Sequence, residues 1–341
     1  LMNPMYLTDF YKQDHINQYP EGTEQVFSNF TPRSNRHALT AGIKSEGVVV
    51  FGVKKLLLDL NSLWYNEFFA LNSRSLMRNY KDFMKKTMGI DDVDTTHFEE
   101  LHRYGRLPIN VRCLPEGTFC PIGVPMLTIV NTEPQFFWLT NFLETYISSE
   151  LWKPVTSATI AREYRTIFKK YSDITGGNKD FIDFQGHDFS FRGMSNHQDA
   201  IKSGTAHLTS FRGTDTVPAI QEIYNTYPVL DDYFLGGSVP ATEHSVMCMG
   251  SQEGELDTFK RLITEVYPSG PVSIVSDTWD FWKVVGEYLP ALKDTIMKRD
   301  GKVIIRPDSG DPADILCGVE VESVNCLSDD AENYIVDTAV E

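Results

Sequence analysis

Apolar residues recur along the chain with two different spacings, and each spacing predicts one kind of element. Runs made mostly of apolar residues, such as VSIV at 272–275 and KVII at 302–305, are typical of strands buried in a parallel sheet. Apolar residues at steps of three and four, as in DTFKRLITEVY at 257–267, predict amphipathic helices. Beyond residue 208 the two kinds of segment alternate, which favours parallel strands covered by helices.

Nearer the amino end the pattern predicts two strands and then two helices. LPINVRCL at 107–114 and VPMLTIVN at 124–131 have strand character and are joined by a connection rich in Pro and Gly. The segments 133–152 and 157–171 each show helical periodicity, and Pro134 suits the first turn of the earlier one. A third helix is expected to open at Ser195, with Gln198 completing a capping box.

Composition narrows the class of protein without identifying it. The chain has 341 residues, 41% of them apolar and 23% charged, which is ordinary for a globular protein of one or two domains. It has no apolar run long enough for a membrane span and no secretory signal pattern at its start, so we expect a cytoplasmic protein. The net charge of −16 argues against a nucleic-acid surface but not against a local basic pocket for a phosphorylated metabolite.

The cysteine pattern excludes a disulfide framework and a zinc site of the usual kind. The count is odd and no two cysteines form a C-x-x-C pair. Reduced and mostly buried thiols are therefore expected at Cys113, Cys120, Cys248, Cys317 and Cys326.

Polar residues cluster where predicted strands end. The clusters are GTD at 213–215, TEH at 242–244, SD at 276–277 and RPDSGD at 306–311. In parallel α/β folds reactive groups collect at the carboxyl ends of strands, because the loops there converge on one face. The repetition favours a functional site over ordinary polar loops.

The cluster at 306–311 has the chemistry of a phosphate and magnesium site. Arg306 and Asp308 are two residues apart and can share a face, and an arginine binds phosphate through two parallel hydrogen bonds. Asp308, Ser309 and Asp311 offer oxygen atoms of the kind that Mg²⁺ prefers. The alternative is a PDSG turn that carries a solvated ion pair.

Two further carboxylates follow predicted strands. Asp277 can stabilise a developing cation or hold a sugar hydroxyl, and the alternative is that it caps the helix after it. Asp215 can accept hydrogen bonds from an amide, and the alternative is a turn.

Two other stretches contain histidines beside reactive or aromatic groups. HDFSFRG at 187–193 offers a ring face and a guanidinium, which suit a flat aromatic ligand; the alternative is a structural ion pair beside core aromatics. Glu243 and His244 are neighbours in what the pattern predicts as a strand, so they point to opposite faces and are a poor metal pair. His244 can take a phosphoryl group, or it can be merely hydrogen-bonded. The common nucleotide-hydrolase, dinucleotide, zincin and esterase motifs are absent from the sequence.

The motifs occur in an order that resembles the nicotinamide phosphoribosyltransferase family. The resemblance covers residues 5–316. The motifs that carry it are LTDFYKQDHINQYP, LPEGTFCPIGVPMLTIVNTEPQFFWLTNFLET, HDFSFRG, FRGTDT, SVPATEHS, VSIVSDTWD and IIRPDSGDP.

The resemblance implies a fold, a reaction and an assembly. The fold is an α/β class, a type II phosphoribosyltransferase barrel, here incomplete, with an N-terminal mixed α/β domain at 1–130 and the barrel portion at 131–316. The reaction joins nicotinamide to 5-phosphoribosyl 1-pyrophosphate and gives nicotinamide mononucleotide and pyrophosphate, for NAD biosynthesis. The assembly is a homodimer with shared active sites, without nucleic-acid or membrane partners.

By the same resemblance, one group of residues binds the ring and the phosphates. Phe189 and, from the partner subunit, Tyr11 sandwich nicotinamide, and Arg192 lies near the amide and the ribose phosphate. Asp215 accepts from the amide and so prefers it to a carboxylate. Arg33 of the partner contacts pyrophosphate.

A second group performs the chemistry, again by resemblance. Arg306 and Asp308 bind ribose, pyrophosphate and Mg²⁺, with Asp308 as the metal ligand, and Ser273 contacts substrate. Asp277 lies near the ring nitrogen and the ribose. ATP phosphorylates His244 and thereby favours the forward reaction.

The resemblance stops after DILCG at 314–318. The family continues further, with loops that hold the 5-phosphate, and the acidic tail at 317–341 matches no barrel element. We therefore expect a truncated chain that is catalytically poor alone. Nicotinate phosphoribosyltransferase and a non-catalytic remnant that only binds ligand or dimerises stay open as alternatives.

Overall fold

The protein is described by a computed structural model over residues 2–40 and 45–318, and its chain divides into two compact units after Gly237. The predicted boundary at residue 130 lies inside the first unit and stays a prediction, because one compact unit can contain more than one domain. Of the tail at 317–341, residues 319–341 lie outside the described residues, as does Cys326.

Antiparallel and parallel pairing both occur in the first unit. Its strands are β1 (Phe27–Phe30), β2 (Gly47–Val49), β3 (Ile109–Cys113), β4 (Phe119–Pro121), β5 (Leu127–Asn131), β6 (His187–Asp188) and β7 (Gly213–Thr214). β1, β5 and β3 form an antiparallel sheet in that order, β2 pairs antiparallel with β4, and β6 pairs parallel with β7. The two strands predicted at 107–114 and 124–131 are confirmed as β3 and β5.

Helices pack around these sheets. They are α1 (His15–Gln18), α2 (Arg36–Thr40), α3 (Val53–Trp64), α4 (Ser73–Met88), α5 (Thr96–Tyr104), α6 (Leu139–Phe142), α7 (Glu144–Thr175), α8 (His197–His207) and α9 (Val217–Thr226). Phe98 is fully buried at the centre of the larger core and makes edge-on ring contacts with Tyr80, Trp138 and Phe142. Such aromatic pairs add to the stabilisation from burial.

The second unit alternates strands and helices, as predicted. It contains α10 (His244–Met249), α11 (Glu255–Arg261), β8 (Val272–Val275), α12 (Phe281–Lys283), α13 (Leu289–Lys298), β9 (Val303–Arg306) and α14 (Pro312–Cys317). β8 and β9 pair parallel, and every residue of β8 is buried. The continuous apolar run of β8 therefore marked a strand covered on both faces.

From residue 144 onward the two helices predicted at 133–152 and 157–171 are one helix, while the part before residue 144 forms a 3-10 turn and the short helix α6. α7 runs for 32 residues with Pro154 inside it, and Pro134 begins only a single 3-10 turn. A proline inside a helix costs about 3 kcal/mol, but Leu151, Val155 and Ala158 make one continuous buried face across it. Packing of that face outweighs the local cost.

Two smaller expectations from the sequence are wrong. Asn196 rather than Ser195 caps α8, because the Asn196 side chain accepts from the Asp199 backbone N–H at 3.0 Å. The thiols are not mostly buried, since Cys120 alone is buried among the four cysteines at described positions.

Across 2–40 and 45–318, the helices include none whose length and apolar character would suit a membrane span.

The burial of Glu255, at the start of α11, should make the stability of the protein depend on pH. The residue is 1% exposed, and its Oε1 has no hydrogen-bond partner within the described part of the chain. Burial, and then the charge of Asp280, raise its pKa. A carboxyl whose pKa is raised by folding costs stability as the pH climbs through its ordinary value.

We expect Glu255→Gln to stabilise the protein at pH 7 by about 1 kcal/mol, since an unsatisfied buried charge is removed. The gain should shrink at pH 4, where the glutamate is largely protonated. The gain in stability is measured by thermal unfolding at pH 7 and at pH 4. The control is Glu253→Gln, which changes an exposed glutamate two residues away. An unchanged or lower unfolding temperature at pH 7 would show that Glu255 is stabilised by other contacts.

Candidate active site

In the first unit, parallel pairing of β6 with β7 brings two motifs together. His187 lies opposite Gly213 and Asp188 opposite Thr214. Asp188 is 7% exposed and accepts hydrogen bonds from Ser190, Thr214 and Thr216, between 2.6 and 3.1 Å. Burial raises the pKa of Asp188, but the hydrogen bonds from Ser190 and Thr216 lower it by more than burial raises it. The pKa of Asp188 therefore lies below its ordinary value. Asp188 thus ties the ends of both strands together as a carboxylate.

The same pairing gathers the ring-binding candidates around His187. The His187 Nε2 atom lies 2.7 Å from the Asp215 Oδ1 atom. The His187 and Phe189 rings are 4.5 Å apart between centroids, tilted by 36°. Phe189 and Asp215 therefore belong to one cluster, and both are exposed. His187 had no predicted role, although its place two residues before Phe189 in the HDFSFRG motif put the two rings close together in the chain.

Space for a ring exists beside this cluster. A cavity of about 530 Å³ in the first unit is lined by His187, Phe189 and Ser190 and, from α7, by residues that include Tyr164 and Phe168. Its size falls in the range of small-molecule sites.

The remaining first-unit candidates lie at the surface. Arg192 is exposed on a 3-10 turn over Phe191–Gly193, and Arg33 is exposed after β1. Tyr11 is 63% exposed beside the His15 ring, while the next residue, Lys12, is buried and paired with Glu144. The buried lysine anchors the segment that presents Tyr11.

In the second unit, three predicted catalytic residues come together. His244 Nε2 lies 3.3 Å from Asp277 Oδ1, and His244 Nδ1 lies 4.0 Å from Asp308 Oδ2. Asp277 and Asp308 follow the paired strands β8 and β9, as the strand-end argument predicts. His244, however, is not in a strand: Glu243 is the N-cap of α10 and His244 its first residue.

Asp277 is held as a carboxylate. Only 7% of its side chain is exposed, and the Ser309 hydroxyl donates to its Oδ2 at 2.5 Å. Burial raises its pKa, whereas the hydrogen bonds, chiefly that from Ser309, and the His244 charge lower it; the net pKa is lowered. The alternative role as helix cap is wrong, because Asp280 caps α12 by accepting from the Lys283 N–H.

A backbone segment lies along β8 and carries His244 to this site. The Thr242 N–H donates to the Ser273 carbonyl at 2.9 Å, and the Ser273 N–H donates to the Pro240 carbonyl at 2.8 Å. Arg306 fixes the same segment, since its Nη2 donates to the Thr242 carbonyl at 2.7 Å. Ser273 itself is 6% exposed, within β8.

Asp308 fits the metal-binding role in part. Within residues 2–40 and 45–318 no three acidic, histidine or cysteine side chains form a metal cluster. Mg²⁺ commonly needs only one or two carboxylates beside substrate phosphates and water. Asp308, whose side chain is 57% exposed, can supply one such ligand.

Two protein-family models match parts of this chain. Residues 3–111 match the model of the nicotinamide phosphoribosyltransferase N-terminal domain, and residues 184–332 match that of the nicotinate phosphoribosyltransferase family. A nicotinamide phosphoribosyltransferase of Mycoplasma pneumoniae is 32% identical over 91% of this chain and 67% of its own length. The chain belongs to the nicotinamide phosphoribosyltransferase family.

A second relative is more similar to this chain than the Mycoplasma pneumoniae protein is, and it is longer than this chain. The nicotinamide phosphoribosyltransferase of Acinetobacter baylyi is 49% identical over 93% of the chain, which spans 64% of the relative's length. Among solved structures, human nicotinic acid phosphoribosyltransferase superposes with a TM-score of 0.58 at 18% identity, covering 89% of this chain and 61% of that one. The phosphoribosyltransferase fold expected from the sequence is thereby confirmed.

Proposed function

We propose that this protein transfers the phosphoribosyl group of 5-phosphoribosyl 1-pyrophosphate to nicotinamide, forming nicotinamide mononucleotide and pyrophosphate for NAD biosynthesis. The observation that carries the proposal is the grouping of His244 with Asp277 and Asp308, the two carboxylates that follow the parallel strands β8 and β9. Membership of the family supports the choice of reaction.

The first-unit cluster is proposed to bind the base. The exposed Phe189 ring offers a face for stacking, and Asp215 accepts from the amide NH₂ of nicotinamide. Nicotinate would bring a carboxylate against Asp215, and like charges disfavour each other. The alternative of a nicotinate phosphoribosyltransferase is therefore less well supported.

The second-unit residues are proposed to stabilise the reacting charges. When the bond from C1 to pyrophosphate breaks, positive charge develops on the ribose ring, and the ionised Asp277 carboxylate stabilises it. Pyrophosphate leaves with the electron pair of the broken bond, and the lone pair of the pyridine nitrogen forms the new bond to C1. Arg306 would contact the leaving phosphates. Asp308 would hold Mg²⁺, which supplies further charge stabilisation to pyrophosphate when bound.

His244 is proposed to accept a phosphoryl group from ATP. Its side chain is 47% exposed, so a phosphate donor can approach it. In that step a bond forms from a ring nitrogen to the terminal phosphorus, the bond to the bridging oxygen breaks, and ADP leaves. The Asp277 and Asp308 carboxylates, at 3.3 and 4.0 Å from the two ring nitrogens, would orient the imidazole for this step by charge attraction.

A homodimer is proposed on the basis of an exposed apolar face. The second half of α7 exposes Tyr164, Ile167, Tyr171 and Ile174, which recur at helical spacing. Contiguous exposed apolar surface of this kind marks protein interfaces. The presentation of Tyr11 and Arg33 at the surface suits a role in the partner's site. Cytoplasmic location and the absence of nucleic-acid partners stay predictions.

Sharing of the site predicts complementation between two inactive chains. When Tyr11→Ala and Phe189→Ala chains are mixed and re-associated, about half the sites in a mixed dimer should be intact, so activity should return. The matched control mixes Phe189→Ala with Asp215→Ala, which damage the same half of the site and should not complement. If tagged mixed dimers form and stay inactive in the first mixture, Tyr11 does not act across the interface.

The proposed reaction is tested by assaying nicotinamide mononucleotide formation from nicotinamide, 5-phosphoribosyl 1-pyrophosphate and Mg²⁺, with and without ATP. The assay uses the 341-residue chain and also this chain joined to the portion of the Acinetobacter relative that it does not span, called the extended protein below. We expect product that requires both substrates, formed faster by the extended protein. Absence of product from both would refute the proposed function.

A further inference from the structure

His187 occupies a position between the two ring-binding candidates of the first unit. In the parallel pair β6–β7 it lies opposite Gly213, and Asp215 comes two residues after Gly213, just beyond the end of β7. Phe189 is likewise two residues beyond His187. The histidine ring contacts both residues: its Nε2 lies 2.7 Å from Asp215 Oδ1, and its centroid lies 4.5 Å from that of the Phe189 ring.

Gly213 makes room for the ring. A Cβ atom at position 213 would lie 2.6 Å from His187 Nδ1, a distance shorter than Cβ atoms keep from other heavy atoms in proteins. The imidazole thus lies directly over the strand β7 backbone, and its Nε2 is aimed along the strand toward Asp215.

The direction of the hydrogen bond follows from the chemistry of the partners. An ionised carboxylate only accepts, so the Nε2 atom of His187 must carry the proton and donate it to Asp215 Oδ1. A carboxylate that is held at one oxygen keeps its plane and its second oxygen in a fixed direction. Preorganisation of this kind lowers the cost of binding a partner group.

We propose that His187 is a positioning residue that orients Asp215 and the Phe189 ring for an aromatic amide, and so sets the preference for the amide over the acid. The inference rests on the proposed function, because it concerns the same base-binding site. His187 does not touch the reacting atoms; it acts through Asp215.

The test compares His187→Phe, which keeps a ring but removes the donor, with His187→Gln, whose amide nitrogen can reach the place of Nε2. Binding of nicotinamide and of nicotinate to the 341-residue chain is measured by ligand-observed NMR titration. We expect His187→Phe to weaken nicotinamide binding about tenfold, the effect of losing one hydrogen bond to a charged group. Nicotinate binding should weaken less, and His187→Gln should restore most of the preference.

Two further variants separate positioning from folding. Gly213→Ala should displace the ring without removing it and should lower the preference as His187→Phe does. The exposed His197→Phe in α8 should change nothing. In a double-mutant cycle with Asp215→Ala, the His187→Phe effect should largely vanish, because either change alone removes the contact between Nε2 and Oδ1.

The outcomes distinguish this inference from the proposed function. If the unchanged chain binds neither base and the extended protein makes no product, the proposed function fails. If the unchanged chain prefers nicotinamide but His187→Phe weakens both bases equally, or His187→Gln fails to restore the preference in a chain with unaltered circular dichroism, the positioning role is overturned.

Discussion

Replacing Asp277 by asparagine should lower kcat/KM for nicotinamide mononucleotide formation by about 10²–10³-fold, the usual effect of removing a preorganised charge from a transition state. The reason is geometric: the carboxylate is 7% exposed, Ser309 donates to one oxygen and His244 lies 3.3 Å from the other. Asparagine keeps the size of the side chain and removes the charge that opposes the ribose cation.

The effect should fall on kcat more than on KM, since the cation exists only in the transition state. Steady-state kinetics of the extended protein measure it. The matched control is Asp294→Asn, which changes an exposed carboxylate on α13 of the same unit. A value of kcat/KM for Asp277→Asn within twofold of the control would remove Asp277 from the reaction.

Replacing Asp215 by asparagine should lower the ratio of kcat/KM for nicotinamide to that for nicotinate by about 10–100-fold. Two effects add: the hydrogen bond to the amide loses its charge, and the repulsion of the nicotinate carboxylate disappears. Asp180→Asn, at an exposed position of the first unit, is the control. If the ratio is unchanged while Asp180→Asn is also silent, Asp215 does not read the amide.

The strand ends were the part of the site that the sequence predicted best. The apolar runs at 272–275 and 302–305 became the parallel strands β8 and β9, and Asp277 and Asp308, which follow these strands, lie beside His244. The expectation of burial is correct for β8 and wrong for β9, where Ile304 is exposed. Residues that follow two paired parallel strands lie at the same edge of the sheet. The positions of Asp277 and Asp308 after two apolar runs were therefore sufficient to predict that they come together.

Local competition between neighbouring residues was harder to predict. Asp277 and Asp280 are both plausible caps for α12, and only the backbone direction after β8 decides that Asp280 takes the role. Asn196 displaces Ser195 at α8 in the same way. Pro154 reads as a helix break, yet the buried face of α7 continues through it because packing outweighs the lost hydrogen bond.

Contacts that depend on register could not be predicted at all. The approach of His187 to Asp215 needs the pairing of β6 with β7, across 28 positions of sequence. The hydroxyl of Ser309 reaches Asp277 from a loop 32 positions away. Neither pair has a spacing that a sequence pattern could reveal.

The preference of the protein for one base tests the whole account most directly. The extended protein is given nicotinamide and nicotinate at equal concentration with 5-phosphoribosyl 1-pyrophosphate and Mg²⁺, and the two mononucleotide products are separated and quantified. We expect nicotinamide mononucleotide to exceed nicotinate mononucleotide by about tenfold or more, because the charge of Asp215 favours the amide over the carboxylate. Equal amounts, or an excess of nicotinate mononucleotide, would contradict it.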